Sequence, residues 1–98
     1  MEIKIKATDD EKQQVVRAIC TLNEIGHIKV MSQTMIAETA GIKATKVRIV
    51  LTDLLEEESI IQYQVSDNKK LQRYYYTITD EGLKYLEHGT SYKGLQTV

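Results

Sequence analysis

The stretch IAETAGIKATKVRIVLTDLLEEESII, residues 36–61, holds two apolar patterns of helical spacing on either side of Gly41. Ile36 and Ala40, four positions apart, come before the glycine. After it, apolar residues recur every three or four positions: Val47, Val50, Leu51, Leu54 and Leu55. This spacing puts apolar side chains on one face of a helix, and a glycine between two such segments is typical of a turn. The stretch therefore predicts a helix-turn-helix unit whose second helix covers residues 43–57.

The segment before this unit carries the signals of one long helix and one short strand. Thr8 and Glu11 have the spacing of a capping box, which predicts a first helix over residues 9–25 that stops at Gly26. HIKVM, residues 27–31, alternates apolar and other side chains and predicts a strand. Ser32 can then cap a helix that runs to residue 39.

The segment after the unit alternates apolar residues over 60–65 and 71–79, with the polar turn SDNKK between them. This pattern predicts an antiparallel hairpin. Residues 80–87 return to helical spacing behind Thr79, a residue that can cap a helix. The element order is thus α-β-α-α-β-β-α, an α+β fold with a small three-stranded antiparallel sheet. We expect an arm at residues 1–8, one domain at 9–88 and a flexible tail at 89–98.

Composition narrows the class of protein. The chain has 98 residues, 42% of them hydrophobic, with no proline and one cysteine, so it suits one folded domain without a disulfide. No stretch has the apolar length of a membrane span or a signal peptide, and we expect a cytoplasmic protein, or a nuclear one in a eukaryote. The net charge of −1 means that any nucleic-acid contact must come from a local patch.

The sequence offers no pattern for catalysis, metal binding or a cofactor. His27 and His88 are far apart, and neither stands at metal-ligand spacing with Cys20 or a pair of carboxylates. No phosphate-binding glycine loop or nucleophile motif is visible. We therefore expect a protein that is not an enzyme and that holds no metal or cofactor.

Two stretches together resemble a known family. Residues 36–61 resemble the helix-turn-helix core of prokaryotic winged-helix regulators, and RYYYTITDEGLKYL, residues 73–86, is similar to the second wing strand and last helix of PadR-like and MarR-like members. The resemblance implies a winged helix that binds double-stranded DNA and regulates transcription. The sequence departs from the family at Ser59, where a glycine is common, and at Lys43, where a Ser or Thr cap is common.

The resemblance makes residues 43–57 the recognition helix in the major groove, and residues 66–70 the wing on the backbone or minor groove. Lys43 and Lys46 are expected at phosphates, and Arg48 at a guanine. The full set of predicted DNA-contacting residues is Lys43, Thr45, Lys46, Arg48, Ile49, Thr52, Lys69, Lys70 and Arg73. The competing interpretation of these cations is an ordinary solvated helix face and a soluble turn.

The three consecutive tyrosines cannot form one platform, because side chains on a strand alternate between its faces. We expect Tyr76 and Ile78 to pack inward, and Arg73 and Tyr75 to face outward.

The favoured function is a homodimeric, sequence-specific regulator, because one short recognition helix reads few base pairs. We expect the two subunits to meet through the first helix, the last helix and the arm MEIKIK; a monomer, or a dimer in which the arm pairs as a strand, are the alternatives. The alternative is a winged helix that docks a protein partner without binding DNA. The acidic total charge and an exposed Ile49 on the reading face favour that alternative.

Overall fold

A computed structural model describes residues 6–65 and 72–88, which form four helices and one hairpin. The elements in chain order are α1 (Asp9–Glu24), α2 (Gln33–Ala40), α3 (Ala44–Glu56), β1 (Ile60–Gln64), β2 (Tyr74–Ile78) and α4 (Leu83–His88). The α+β class is confirmed. The predicted tail at 89–98, the wing turn at 66–70 and most of the predicted arm lie outside the described residues.

The start of α1 is the capping box that the sequence predicts. The Thr8 hydroxyl accepts the Glu11 N–H at 3.1 Å, and the Glu11 carboxylate accepts the Thr8 N–H at 2.9 Å. Two backbone donors that have no partner within the helix are thereby satisfied. The helix ends at Glu24, one residue before the predicted end.

The turn between α2 and α3 depends on Gly41. Ser32 caps α2 by accepting the Met35 N–H at 3.0 Å, as predicted. The helix then ends in Gly41, whose φ of +78° lies in the left-handed region where a side chain is strained. Its N–H still donates to Ala37 at 2.8 Å, so the chain reverses direction without losing that bond. This turn directs α3 across α2.

The core lies where α1, α2 and α3 meet the inner face of the hairpin. Leu55 is partly buried, and the other four apolar residues of the α3 pattern are 4% exposed or less: Val47, Val50, Leu51 and Leu54. They pack in one cluster with Ile19 of α1 and Ile36 of α2. Full burial of each such side chain contributes about 1.5–3 kcal/mol. The core therefore fixes which face of α3 points outward.

The sheet of the described residues has two strands, and the predicted third strand over residues 27–31 is wrong. β1 and β2 are antiparallel, with Ile60 opposite Ile78 and Tyr63 opposite Tyr75. One backbone bond, from the Met31 N–H to the Tyr74 carbonyl at 2.8 Å, is all that joins residues 27–31 to β2. The next carbonyl along that edge, Tyr76, accepts the side-chain amide of Asn23 at 2.9 Å instead.

The end of α3 is closed by a left-handed residue at Glu58, whose φ is +64°. The N–H of Glu58 donates to Leu55 and that of Ser59 to Leu54, which is the Schellman pattern of helix ends. The positive φ expected at the family's glycine position thus falls one residue before Ser59. Ser59 itself is fully buried.

The last helix begins at Leu83, three residues later than the predicted start at 80. Thr79 does accept a backbone N–H, but the donor is Gly82 at 3.1 Å, in the turn before the helix. Gly82 lies directly against the Ser59 carbonyl, so that an added Cβ would be 2.1 Å from that oxygen. None of the helices in residues 6–65 and 72–88 has the length and apolar character needed to cross a membrane.

Candidate nucleic-acid interface

The outward face of α3 carries the polar residues that the sequence predicts there. Thr45, Arg48 and Thr52 are all exposed, on the side of the helix opposite the core. Thr52 donates its hydroxyl back to the Arg48 carbonyl at 3.0 Å, which leaves a hydroxyl oxygen able to accept. A cation and two hydroxyl groups therefore lie on one accessible stripe, in which Arg48 and Thr45 can donate to base edges and Thr52 can accept from them.

The N-terminal end of α3 has no side-chain cap. Lys43 occupies the cap position without a capping hydrogen bond, as expected from the missing Ser or Thr, and its side chain is exposed. The first backbone N–H groups of the helix and the positive end of its dipole therefore point into solvent beside a cation. Such an end is suited to an anion.

Lys46 is turned towards α1. Its ammonium lies 3.4 Å from the Glu11 carboxylate, and the two side chains are 39% and 23% exposed. The pKa of Glu11 is lowered, first by the hydrogen bond from the Thr8 N–H and then by the charge of Lys46. Lys46 thus bridges the starts of α1 and α3 in the free protein.

Ile49, which the sequence places among the outward residues of α3, is partly buried. It lies between the buried Val47 and Val50 along the chain and beside the exposed Arg48. The apolar surface available on α3 is accordingly smaller than its sequence suggests.

Of the cations predicted on the wing, the structure describes Arg73. Arg73 is exposed and directly precedes β2, and its carbonyl accepts the Val65 N–H at 2.8 Å. That bond extends the ladder beyond the strands and fixes where the backbone of Arg73 lies. Lys69 and Lys70, the other predicted wing cations, lie outside the described residues.

The acids near the end of α3 are divided between the body of the domain and solvent. Glu57 accepts hydrogen bonds from Lys12 at 2.9 Å, from the Ser59 hydroxyl at 2.6 Å and from the Tyr85 hydroxyl. Burial acts to raise the pKa of Glu57, but these donors outweigh it and the pKa is lowered. Burial, together with the hydrogen bond to Glu57, raises the pKa of Tyr85 to about 12. Glu56 is exposed.

Asp53 of α3 binds the backbone just before the start of α1. Asp53 is 9% exposed, and its carboxylate accepts the Ala7 N–H at 2.7 Å, a contact between residues 46 positions apart. Sequence reasoning missed both this contact and the Glu57 cluster. The sequence did carry a signal for both, because Asp53 and Glu57 lie on or beside the apolar face of α3. An acid that is buried at such a position requires a hydrogen-bond or ion-pair partner.

The three tyrosines of β2 take different environments. Tyr76 is 6% exposed, so its predicted core position is confirmed. Tyr75, which was expected to face outward, is partly buried, and its hydroxyl accepts the Asn23 amide at 3.0 Å. This correction follows from the C-terminal end of α1, which covers that part of the strand.

Within residues 6–65 and 72–88, no three His, Cys, Asp or Glu side chains lie close enough to hold a metal ion together. Cys20 is a partly buried free thiol on α1.

No family model and no curated protein matches the chain. Solved structures do match it. A point mutant of S. aureus MepR aligns with a TM-score of 0.62 at 19% identity over 93% of this chain, and the S. aureus MepR-DNA complex aligns with 0.61 at 18% identity over 93%. L. lactis ZitR, a zinc-responsive MarR family member, aligns with 0.55 at 19% identity over 99%.

The matched chains are longer than this one. The alignment covers 61% of each MepR chain and 60% of ZitR. At such identities the likeness concerns the fold, which agrees with the resemblance seen in residues 36–61 and 73–86. The chain therefore has the fold of these solved structures, a winged helix-turn-helix.

Proposed function

We propose that this protein is a double-stranded DNA-binding transcriptional regulator that recognises a specific sequence. The observation that carries the proposal is the exposed polar stripe of Thr45, Arg48 and Thr52, held outward by the buried face of α3 in a winged helix. One protein of this fold is described as a DNA complex. A regulator of this kind acts in the cytoplasm of a prokaryotic cell and carries out no catalysis.

In this function the N-terminal half of α3 enters the major groove. Arg48 donates two hydrogen bonds to a guanine, and Thr45 and Thr52 contact neighbouring base edges. Ile49 contributes what apolar surface it exposes to a thymine methyl group. These four side chains lie on one helix that the core holds rigidly, as base recognition requires.

Phosphate contacts set the position of the helix on the duplex. Lys43 meets a phosphate at the uncapped end of α3, where the backbone N–H groups also point. Lys46 leaves its ion pair with Glu11 and contacts a second phosphate. At the wing, residues 66–70 with Lys69, Lys70 and Arg73 follow the backbone or the minor groove.

Two copies of the chain bind together, because the bases that one α3 reaches are too few for specific affinity. A two-fold homodimer would recognise two half-sites of a palindromic operator.

The test is the binding of a fluorescently labelled random duplex, followed by anisotropy at several salt concentrations. Each neutralised phosphate contributes about −0.9 to the slope of log K against log salt. We expect a slope of several units in the parent protein, and a loss of about one unit or more in Lys43→Glu. Arg48→Ala should weaken binding and also reduce the preference for an operator over random DNA.

The matched control is Lys29→Glu, which reverses an exposed lysine in the segment between α1 and α2 that is not among the predicted DNA-contacting residues. It should retain nearly all of the slope that Lys43→Glu loses. Absence of binding at about 50 mM salt, or equal losses in both variants, would contradict the proposed function.

The competing function, protein docking without DNA, draws on a different observation. Ile61, Tyr63 and Val65 are 43%, 49% and 46% exposed on one face of β1. A protein that only docks a partner there would not bind the labelled duplex even at low salt, so the same titration separates the two functions.

A further inference from the structure

A groove of about 650 Å³ lies between the start of α2 and the hairpin, a volume within the range of small-molecule sites in proteins. Its apolar wall includes Met31, Tyr74 and Tyr76. Its polar lining includes Gln62, Gln72 and Arg73. An apolar wall with a few polar groups beside it is the usual composition of a ligand site.

Two tyrosine hydroxyls determine what the glutamines of the groove can offer a ligand. The Tyr76 hydroxyl donates to the side-chain oxygen of Gln62 at 3.1 Å, and the Tyr74 hydroxyl donates to that of Gln72 at 2.7 Å. A glutamine amide has one oxygen that accepts and one NH₂ group that donates. Because a tyrosine already engages each oxygen, Gln62 and Gln72 have their NH₂ groups left for a ligand.

The charge of the described lining is positive. Arg73 is exposed, and none of the described residues that line the groove has a carboxylate. Ser32 also lines the groove, and its hydroxyl oxygen accepts the Met35 N–H at 3.0 Å, so the hydroxyl hydrogen can still be donated. The available groups are thus mostly donors. A ligand that matches them brings acceptor oxygens, and a negative charge is favoured beside Arg73.

A second groove shows that this set of donors is not general to the surface. It has a volume of about 410 Å³, and Asn23, Lys29 and Val65 are among its lining residues. The Asn23 amide already donates to the Tyr75 hydroxyl at 3.0 Å and to the Tyr76 carbonyl at 2.9 Å. This second groove therefore offers the ammonium of Lys29 without amide donors beside it, and the groove at α2 is better suited to an anion.

We propose that the groove at α2 binds a small organic oxyanion, a carboxylate or phosphate group attached to a flat apolar body. The Arg73 guanidinium forms paired hydrogen bonds with the oxyanion, as its planar geometry favours. The NH₂ groups of Gln62 and Gln72 donate to its remaining oxygens. The apolar body packs on the ring of Tyr74, which is partly buried.

Arg73 connects this site to the proposed function, because it is also one of the predicted DNA-contacting residues. One guanidinium cannot form paired hydrogen bonds with two anions at once. The small anion therefore competes with a duplex phosphate, and each weakens the binding of the other by the same factor. This competition rests on the proposed function, whereas the anion site does not.

The test of the site is an NMR titration of the isotopically labelled full chain without DNA. The probes are phenyl phosphate and benzoate, and the NH₂ signals of Gln62 and Gln72 report on the groove directly. We expect saturable shifts of both signals, and the probe that binds more tightly identifies the preferred oxyanion. Benzamide, which lacks the charge of benzoate, and inorganic phosphate, which lacks an apolar body, should bind about tenfold more weakly or worse.

Two variants locate the bound anion. Arg73→Gln should weaken the binding of the preferred probe by about tenfold or more. The matched control, Lys29→Gln, removes one positive charge from the second groove and should leave that affinity unchanged. Equal losses in the two variants, no loss in Arg73→Gln, or benzamide binding as tight as that of benzoate would overturn the site. The dispersed amide spectrum of each variant shows that its fold is retained.

Duplex anisotropy at constant ionic strength distinguishes the site from the proposed function. A saturating concentration of the preferred probe should lower duplex affinity by about fivefold or more in the parent, and should have no effect in Arg73→Gln. Unchanged duplex affinity in the parent overturns the competition. A protein that binds the anion but no duplex supports the site and overturns the proposed function, and duplex binding without anion binding overturns the site alone.

Discussion

The contact of Gly82 with Ser59 gives a prediction of stability that can be worked from distances. An added Cβ at Gly82 would lie 2.1 Å from the Ser59 carbonyl oxygen and 2.9 Å from a methyl carbon of Ile78. The oxygen belongs to the backbone and accepts the Thr79 N–H at 3.0 Å, so it cannot rotate away as a side chain could. Gly82→Ala must therefore displace the start of α4 or the start of β1 by about 1 Å, the shortfall from ordinary van der Waals separation.

Overpacking of this kind costs about 1–3 kcal/mol. For a domain of this size, each kcal/mol lowers the melting temperature by about 4–8 °C. We expect Gly82→Ala to reduce the urea midpoint at unchanged m-value and to lower Tm by roughly 5–20 °C. The assay is equilibrium unfolding followed by circular dichroism.

The control is Gly26→Ala, because a Cβ at Gly26 meets no atom within 4 Å and its backbone is not left-handed. That variant should be neutral or more stable by about 0.4–1 kcal/mol. If Gly82→Ala were as stable as Gly26→Ala, the close packing of the last turn against β1 would be refuted.

Three further predictions concern the charges and the turn. Glu11→Gln keeps the cap but frees Lys46 for phosphate, so it should tighten duplex binding by up to about fivefold, as measured by anisotropy. The folded-state pKa of Glu57 is lowered, so its contribution to stability is full above the ordinary value of 4.5 and is lost as pH falls through the lowered value. Glu57→Gln should therefore be less stable than the parent at neutral pH by a margin that narrows below about pH 4.5 in urea titrations. Gly41→Ala should cost about 1–2 kcal/mol of unfolding free energy, because Gly41 has a φ of +78°.

Each of these has an outcome that would contradict it. Glu24→Gln removes the same charge from the other end of α1. If it increased duplex affinity as much as Glu11→Gln does, the gain would not come from the release of Lys46. If the difference in unfolding free energy between Glu57→Gln and the parent stayed constant across the acid range, the ionisation of Glu57 would not contribute to stability. Gly41→Asn should lose less unfolding free energy than Gly41→Ala, because asparagine tolerates the left-handed region better. The reverse order would show that the left-handed backbone is not the cause of the loss.

The parts of the fold that follow from the sequence are those encoded over a few residues. The Thr8 and Ser32 caps, the glycine turn and the buried face of α3 all depend on spacings within one or two helical turns. The exposure of Thr45, Arg48 and Thr52 follows directly from that buried face. Their role as base contacts stays a prediction.

The contacts that the sequence did not reveal join distant positions. Lys12 and Glu57 are 45 residues apart, and no local pattern pairs them. The prediction of a third strand failed for a related reason. Alternation in residues 27–31 indicates only that side chains point to opposite faces, whereas a strand also needs free hydrogen-bonding groups on the neighbouring strand. Asn23, on a helix, had already taken one of those groups.

The attachment of the hairpin to the helices has a consequence for how this domain can change. Where a third strand would hold β2 by a ladder of backbone bonds, Asn23 holds it by the amide of one side chain, which bonds both the Tyr75 hydroxyl and the Tyr76 carbonyl. Almost any residue can supply the backbone groups of a ladder, whereas a single substitution at Asn23 removes the side-chain amide. The orientation of the hairpin relative to α3 is therefore open to adjustment by one substitution on α1, a helix that carries none of the predicted DNA-contacting residues.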